Sequence, residues 1–143
     1  MIGNAMKRLF ATLALLVAIA VPASAREMNA ADLVSSEWRN PSKSVQIRID
    51  RCGGPRLCGT ITWASTKAIA DAKRGGTEKL VGTQLFRDLE PAGDGKFKGK
   101  VFVPDIRKTF SGTLQFDDPN RMTGKGCVLF GMICKAQTWS RVR

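Results

Sequence analysis

Short segments in which apolar and polar residues alternate dominate this chain from residue 45 to its end, and they constrain its fold more than any other feature. In SVQIRID, Val45, Ile47 and Ile49 alternate with polar residues, which is the pattern of a strand with one buried face. The same period of two recurs in KFKGKVFV, KTFSGTLQF and CKAQTWSRV. Turn sequences rich in Gly, Pro and Asp separate these segments. The pattern predicts seven or eight short antiparallel strands.

Such a meander has two free edges, so the sheet must either close into a barrel or pair into a sandwich. Glycines inside several of the strand segments are typical of strongly bent strands around a small barrel. Helical segments do not recur between the strands, which excludes a doubly wound α/β fold. We therefore predict an all-β fold, a small antiparallel barrel, preceded by a short N-terminal helix.

Two segments outside the strands have helical character. NAADLVSSEW predicts a short helix with Asn29 as N-cap and Asp32 in the first turn, where a negative charge suits the helix dipole. ASTKAIADAKR has helical propensity but a weak apolar face, and Gly75 and Gly76 follow it. We expect a helical turn or loop there, lying over the body of the domain. Strand signals resume at Leu80.

The first 25 residues have the order of a secretory signal peptide. Lys7 and Arg8 precede an uncharged apolar run that ends at Val21, and small residues follow up to Ala25. The run of about 13 residues is shorter than the roughly 20 that cross a bilayer. We expect cleavage after Ala25, which leaves a single domain over residues 26–143, without a transmembrane anchor, in the periplasm or secreted.

The four cysteines are expected to form disulfides, because export places them in an oxidising compartment and their number is even. The spacing favours two local bridges, Cys52 with Cys58 and Cys127 with Cys134. A four-cysteine zinc site is the alternative, but structural zinc sites normally take pairs two to four residues apart. A redox-active Cys-x-x-Cys is absent from the sequence. We expect no metal.

The chain contains no histidine, which excludes imidazole-ligated metal sites and His-dependent nucleophile pairs. Asp117 and Asp118 precede Pro119 and Asn120, which is the chemistry of a turn rather than of a catalytic carboxylate pair. No nucleophile–base pair can be named from the spacing. We therefore expect a protein that is not an enzyme and that needs no cofactor.

The formal net charge is +11, and it stays near +9 without the leader. Lys96, Lys98 and Lys100 lie together on the polar face of one predicted strand. Such a row is most often a solvated face that also prevents edge pairing; the alternative is a functional basic surface for envelope polyanions. The few aromatic residues fall on apolar faces, away from the basic ones, so we do not expect nucleic-acid binding.

Several segments resemble the bacterial secreted family called domain of unknown function 2147. The resemblance rests on Trp38-Arg39-Asn40-Pro41, CGGPRLCGTITW, LVGTQLF, GKFKGKVFVPDIRKTFSGTL and AQTWSRV. It implies export and a lipocalin-like, up-and-down barrel of about eight strands, a size that can enclose one small ligand. It implies no established activity.

The lipocalin-like resemblance also assigns a role to two residues that are far apart in the sequence. It implies that Trp38, at the start of the first strand, is covered by Arg141 of the last strand, so that a cation–π contact closes one end of the barrel. We expect Trp38, Trp63 and Trp139 to pack in the core or at the barrel end.

Two functions remain open. The first is an exported, non-enzymatic binding protein of the cell envelope that holds a small apolar or amphipathic ligand in the barrel. Its ligand contacts are predicted on inward strand faces, at Ile47, Ile61, Phe97, Val101, Phe110 and Leu114. The second is a structural or interaction module whose basic face, Lys96, Lys98 and Lys100, binds envelope polyanions or a protein partner. The sequence indicates neither the ligand nor an oligomeric state.

Overall fold

Eight antiparallel strands form a closed barrel in the computed structural model, which describes residue 28 and residues 30–143. Each strand pairs with the next along the chain, and the last pairs with the first. This confirms the predicted all-β, up-and-down barrel; the predicted signal peptide and the Asn29 cap lie outside the described residues. The strands are β1 (Ser36–Arg39), β2 (Val45–Gly53), β3 (Arg56–Ala64), β4 (Gln84–Pro91), β5 (Lys96–Val103), β6 (Lys108–Asp118), β7 (Arg121–Val128) and β8 (Ile133–Arg141).

The N-terminal helix, α1 (Ala30–Leu33), is shorter than the helix predicted over residues 29–38. The chain turns at Ser35, which has a left-handed φ of 65°, and then enters β1. Trp38 pairs with a residue of β2 on one side and with Arg141 of β8 on the other. These ladder contacts outweigh the weak helical preference of the local sequence.

The second helix, α2 (Thr66–Arg74), confirms the helical segment predicted between β3 and β4. Ser65 caps its N-terminus by accepting a hydrogen bond from the Ala68 amide at 3.1 Å. Its C-terminal end packs on the 3₁₀ turn Pro104–Ile106 between β5 and β6, where Gly75 lies too close to Asp105 for any side chain. Neither α-helix of the described residues is long and apolar enough to cross a membrane.

The strand predicted from Leu80 begins only at Gln84. Residues 80–83 form a turn in which the Thr83 amide donates to the Leu80 carbonyl at 3.1 Å. Gly82 has a φ of 91°, which glycine adopts without strain. Leu80 is therefore buried beside the cavity at the helix-bearing end of the barrel, whereas Val81 is exposed.

One end of the barrel, here called the closed end, is filled with side chains. It lies where β2–β3, β4–β5 and β6–β7 are joined, and α1 covers it. Phe116 contacts both the Trp38 and the Phe97 rings, with centroids 5.5 and 5.7 Å away. The side chains buried at or near this end are Leu33, Trp38, Ile49, Leu57, Leu89, Phe97, Leu114, Phe116 and Met122.

Arg141 completes the closed end. Its guanidinium carbon lies 5.8 Å from the Trp38 ring centroid, so the expected cation–π contact is present. The guanidinium also donates to the carbonyls of Pro119 and Asp32, at 3.2 and 3.3 Å. The Trp38 indole in turn donates to Ser36 Oγ at 2.7 Å, which satisfies its one buried donor. Arg141 thus ties the last strand to α1 and to the β6–β7 turn.

Trp63 is not in the core, contrary to expectation, and 46% of it is exposed. Alternation along β3 would place Trp63 on the inward face with Ile61. The register of β2 and β3 shifts next to this pair, because Gln46 pairs with Trp63 whereas Ile47 pairs with Ile61. An extra residue in one strand reverses the faces that follow, so Trp63 turns outward and Ala64 inward.

Both predicted disulfides are present, Cys52–Cys58 and Cys127–Cys134. The first links β2 to β3, and the second joins directly paired residues of β7 and β8. Because all four sulfurs are in disulfides, the alternative of a four-cysteine zinc site is wrong. Two intact disulfides are typical of proteins that fold outside the reducing cytoplasm.

Candidate ligand-binding cavity

A cavity of about 730 Å³ occupies the end of the barrel opposite the closed end, here called the open end. The connections β1–β2, β3–β4, β5–β6 and β7–β8 all lie at this end, and α2 lies across part of it. The barrel therefore has two unlike halves, one packed and one hollow.

The floor of the cavity is apolar. Ile61, Phe86, Val101 and Trp139 line it, and they project from β3, β4, β5 and β8. Phe86 meets Trp139 edge to face with centroids 6.0 Å apart, and both are almost completely buried. This aromatic pair separates the cavity from the packed core below it. Further apolar lining comes from Val45, Ala68, Leu80 and Leu85.

The mouth of the cavity is polar. Its lining includes Ser42, Ser44, Ser65, Gln137, Lys43, Lys67, Lys135, Asp71 and Asp105. Within the described part of the chain, neither Lys43 nor Lys135 has a carboxylate within ion-pair distance. The mouth therefore offers the Gln137 amide and ammonium groups to an anionic or polar group, beside serine hydroxyls that already form hydrogen bonds within the protein.

The carboxylate of Asp71, at the mouth, already forms ion pairs with two basic side chains. Lys67 Nζ lies 2.6 Å from its Oδ2, and Arg74 binds its other oxygen. The hydrogen bond from Lys67 holds the pKa of Asp71 below its usual value, against a smaller opposing effect of desolvation. Asp71 thus stays ionised and paired, and it contributes little negative charge to the mouth.

Two glycines of β7 shape the inner wall. A Cβ on Gly124 would lie 2.8 Å from Cζ of Phe86, so this glycine lets the ring lie against the strand. At Gly126 the nearest atom to a Cβ would be Val101 Cβ, at 3.9 Å, which is ordinary contact. A larger side chain at position 126 would therefore fit on the backbone and project into the hollow half.

The wall has a lateral gap beside β8. Because β1 has only four residues, its pairing with β8 is limited to Trp38 with Arg141 and Arg39 with Ser140. Along the rest of β8, no described strand pairs on that side. Lys135 and Gln137 of this stretch line the cavity opposite Ser42 and Ser44. The cavity is consequently accessible from the side as well as from the end.

Of the six residues predicted to contact a ligand, Ile61 and Val101 line the cavity. Ile47, Phe97 and Leu114 do not, because they are buried in the hydrophobic core, and Phe110 is half-buried on β6 outside the lining. Alternation correctly assigned inward faces, but it carries no information on height along the barrel axis. Height decides whether an inward side chain meets the core or the cavity.

Sequence reasoning missed most of the cavity lining. Phe86, Gln137 and Trp139 could have been found, because they alternate inward on β4 and β8. The polar residues of the β1–β2 loop and of α2 gave no such signal. Their place at the mouth follows from the barrel's closure, which a local pattern does not show.

The basic face lies on the outer wall, away from the cavity floor. Lys96, Lys98 and Lys100 are exposed on β5, and none forms an ion pair with a described residue. Lys98 and Lys125 are level across the sheet, since both pair with Thr113 of the strand between them. The face therefore continues from β5 to β7.

The closed eight-stranded barrel with one packed and one hollow end is that of a small up-and-down β-barrel protein, consistent with a lipocalin-like fold. The chain belongs to the family described as uncharacterized proteins conserved in bacteria, DUF2147, whose model matches residues 36–141. The match runs from the first residue of β1 to the last residue of β8. No curated protein and no solved structure matches the chain significantly.

Proposed function

We propose that this protein is an exported, non-enzymatic binding protein that holds one small amphipathic molecule in the open half of its barrel. The observation that supports this proposal most strongly is the uneven lining of the cavity, which has an apolar, aromatic floor and a mouth of hydroxyl and ammonium groups. Its volume of about 730 Å³ falls within the range of known small-molecule sites, roughly 300–1,000 Å³.

The arrangement orients the ligand. An apolar tail would contact Phe86 and Trp139, since burial of apolar surface there releases water from both partners. A polar or anionic head would remain at the mouth near Lys43 and Lys135, where it keeps its hydration or forms charge-assisted hydrogen bonds. A wholly apolar ligand would leave these groups unused, so we favour an amphipathic one.

The proposal includes no reaction. Of the two carboxylates that line the mouth, Asp71 is already bound by Lys67 and Arg74. The chain supplies no histidine as a proton acceptor. Two disulfides and the N-terminal sequence pattern support a place of action in the periplasm or outside the cell.

Gly126→Leu tests the proposal directly, because it places a side chain in the cavity without touching the closed end. The probe is anilinonaphthalene sulfonate, an amphipathic anion whose fluorescence rises in apolar surroundings. We expect saturable binding to the native protein and at least about tenfold weaker binding to the variant, with little change in melting temperature.

Ala136→Leu is the matched control. It adds the same side chain to β8 at an exposed position between the inward-facing Lys135 and Gln137. It should leave probe binding unchanged. Equal affinity of the native protein and Gly126→Leu would contradict binding in the barrel, as would a native protein that does not bind the probe saturably.

The second candidate function is an interaction of the basic face with an anionic envelope component or a protein partner. It is supported by the exposure of Lys96, Lys98 and Lys100, none of which forms an ion pair with a described residue. Replacing all three by Gln should weaken binding to lipopolysaccharide and flatten its dependence on salt. Unchanged binding in high salt would contradict this role.

A further inference from the structure

The turn between β7 and β8, together with the first residue of β8, bears the most exposed large apolar side chains of the described residues. They are Leu129, Phe130, Met132 and Ile133, with exposures of 61, 108, 84 and 54%. We call these four residues the apolar tip. Single exposed apolar residues are ordinary, but four together at the end of a hairpin mark an interaction site.

The backbone of this turn makes the choice of residues unusual. Leu129 and Phe130 have left-handed φ values of 51° and 56°, which favour Gly, Asn or Asp. The turn is closed by hydrogen bonds from the Gly131 and Met132 amides to the Val128 and Leu129 carbonyls. Large apolar side chains at such positions raise the free energy of the turn in water, and a contact outside the domain would account for them.

The Cys127–Cys134 disulfide fixes the stem of this hairpin directly below the tip. The two cysteines are paired residues of β7 and β8 on the outer face. A bridge at this position reduces the flexibility of the turn, whose apolar side chains are exposed and not packed on the barrel. A fixed tip loses less conformational entropy when it binds a surface.

Lysines surround the tip, and we call them the lysine collar. Lys125 lies two residues before Cys127, Lys135 directly follows Cys134, and Lys100 is level with Cys127 through Ser111. Lys108 begins β6 three residues beyond the last β6–β7 pair, which places it beside the turn. None of these four lysines forms an ion pair with a carboxylate of the described residues.

We propose that the apolar tip inserts into the boundary between headgroups and acyl chains of an anionic lipid bilayer, while the lysine collar contacts the headgroup phosphates. Apolar insertion combined with basic residues at headgroup level is the general mode of peripheral membrane binding. The proposal does not depend on a ligand in the cavity.

Charge decides between the bilayer and a second copy of the chain. A symmetric dimer through the tip would bring two identical surfaces together and set one lysine collar against the other. Like charges would then face each other across the contact, whereas an anionic surface complements both collar and net charge. The bilayer therefore satisfies the apolar tip and the lysines at once.

The test compares sedimentation with vesicles of phosphatidylglycerol mixed with phosphatidylcholine and with vesicles of phosphatidylcholine alone. The full chain is expressed in a bacterial host and purified in the form that the host processes, and all variants are prepared identically so that any contribution of the N-terminal residues cancels. The native protein should bind the anionic vesicles more tightly and lose affinity in high salt.

Phe130→Ser combined with Met132→Ser should weaken binding to the anionic vesicles at least about tenfold. Val142→Ser, at an exposed apolar residue of the opposite end, is the control and should have no effect.

Lys100→Gln combined with Lys125→Gln should reduce binding to anionic vesicles roughly tenfold to thirtyfold and leave binding to neutral ones unchanged.

Three results would overturn the proposal. The first is a native protein that does not sediment with anionic vesicles. The second is a Phe130→Ser, Met132→Ser variant that binds them as well as the native protein does. The third is a dimer in sedimentation velocity that this double variant abolishes, which would identify a second copy as the occupant of the tip. Anilinonaphthalene sulfonate binding by the double variant should stay unchanged, so the outcome is independent of the proposed ligand site.

Discussion

The two ends of this barrel are built from the same alternating strands, yet they differ in nearly every physical property. At the closed end, Trp38, Phe97 and Phe116 interlock and Arg141 covers them. At the open end, glycine at position 126 and the absence of a long β1 leave space, and the lining becomes polar toward solvent. The comparison teaches that a packed core and a cavity occupy different halves of a single sheet.

The largest expected effect is at the closed end. Leu114 is fully buried there, and Leu114→Ala should lower the free energy of unfolding by about 2–5 kcal/mol, because the cavity left behind cannot collapse. Val101→Ala, at the half-buried cavity wall, is the matched open-end change and should cost less than half as much. Denaturant unfolding measures both, and equal losses would contradict the division between the two ends.

The disulfides offer a second comparison, because one joins β2 to β3 near the closed end and the other supports the apolar tip. Each closes a short loop, so replacing either pair by Ser should lower the free energy of unfolding by about 2 kcal/mol. Loss of Cys127–Cys134 should in addition weaken binding to anionic vesicles, whereas loss of Cys52–Cys58 should not. Thermal unfolding and vesicle sedimentation would show the difference.

Arg141→Ala should have a smaller effect, about 1–2 kcal/mol, from the loss of its contact with Trp38. Its hydrogen bonds to the Pro119 and Asp32 carbonyls are exposed and add little. The melting temperature should fall, while affinity for anilinonaphthalene sulfonate stays the same. An unchanged melting temperature would argue against Arg141 as part of the closure.

The smallest expected effect is at the mouth. Asp71→Asn removes a carboxylate bound by Lys67 and Arg74, and the released ammonium and guanidinium groups should strengthen binding of the anionic probe by roughly twofold to threefold.

Because the pKa of Asp71 is lowered, its ion pairs persist at neutral pH and are lost only as the pH falls through that lowered value. Affinity in the native protein should therefore stay flat between about pH 5 and 7. Probe affinity is measured by fluorescence at each pH. A change in affinity within that range would contradict a persistently ionised and paired Asp71.

The barrel could be predicted from the sequence because the alternation of apolar and polar side chains is visible within each strand segment separately. The division between core and cavity could not be predicted, since Leu114 and Val101 both lie on inward faces and differ only in their position along the barrel axis. Trp63 was misplaced for a related reason, because one register shift reverses a face without altering the residue pattern around it. The lateral gap depends on the length of β1 relative to β8, which only the closed structure shows.

The two ends also differ in how their aromatic residues are used. Trp38 was correctly placed at the closed end by its resemblance to a lipocalin-like first strand, and Arg141 followed from the same source. Trp139 alternates with Arg141 on β8 but lies higher, so it faces the cavity and not the closure. One strand therefore contributes to both halves, packing at one end and lining the cavity at the other.

Native mass spectrometry with an added long-chain fatty acid tests the central claim most directly. The account predicts that the native protein takes up one molecule per chain and that Gly126→Leu, although folded, takes up markedly less at the same fatty-acid concentration. A native protein that takes up no fatty acid, or equal uptake by the variant, would contradict a binding cavity in the open half of the barrel.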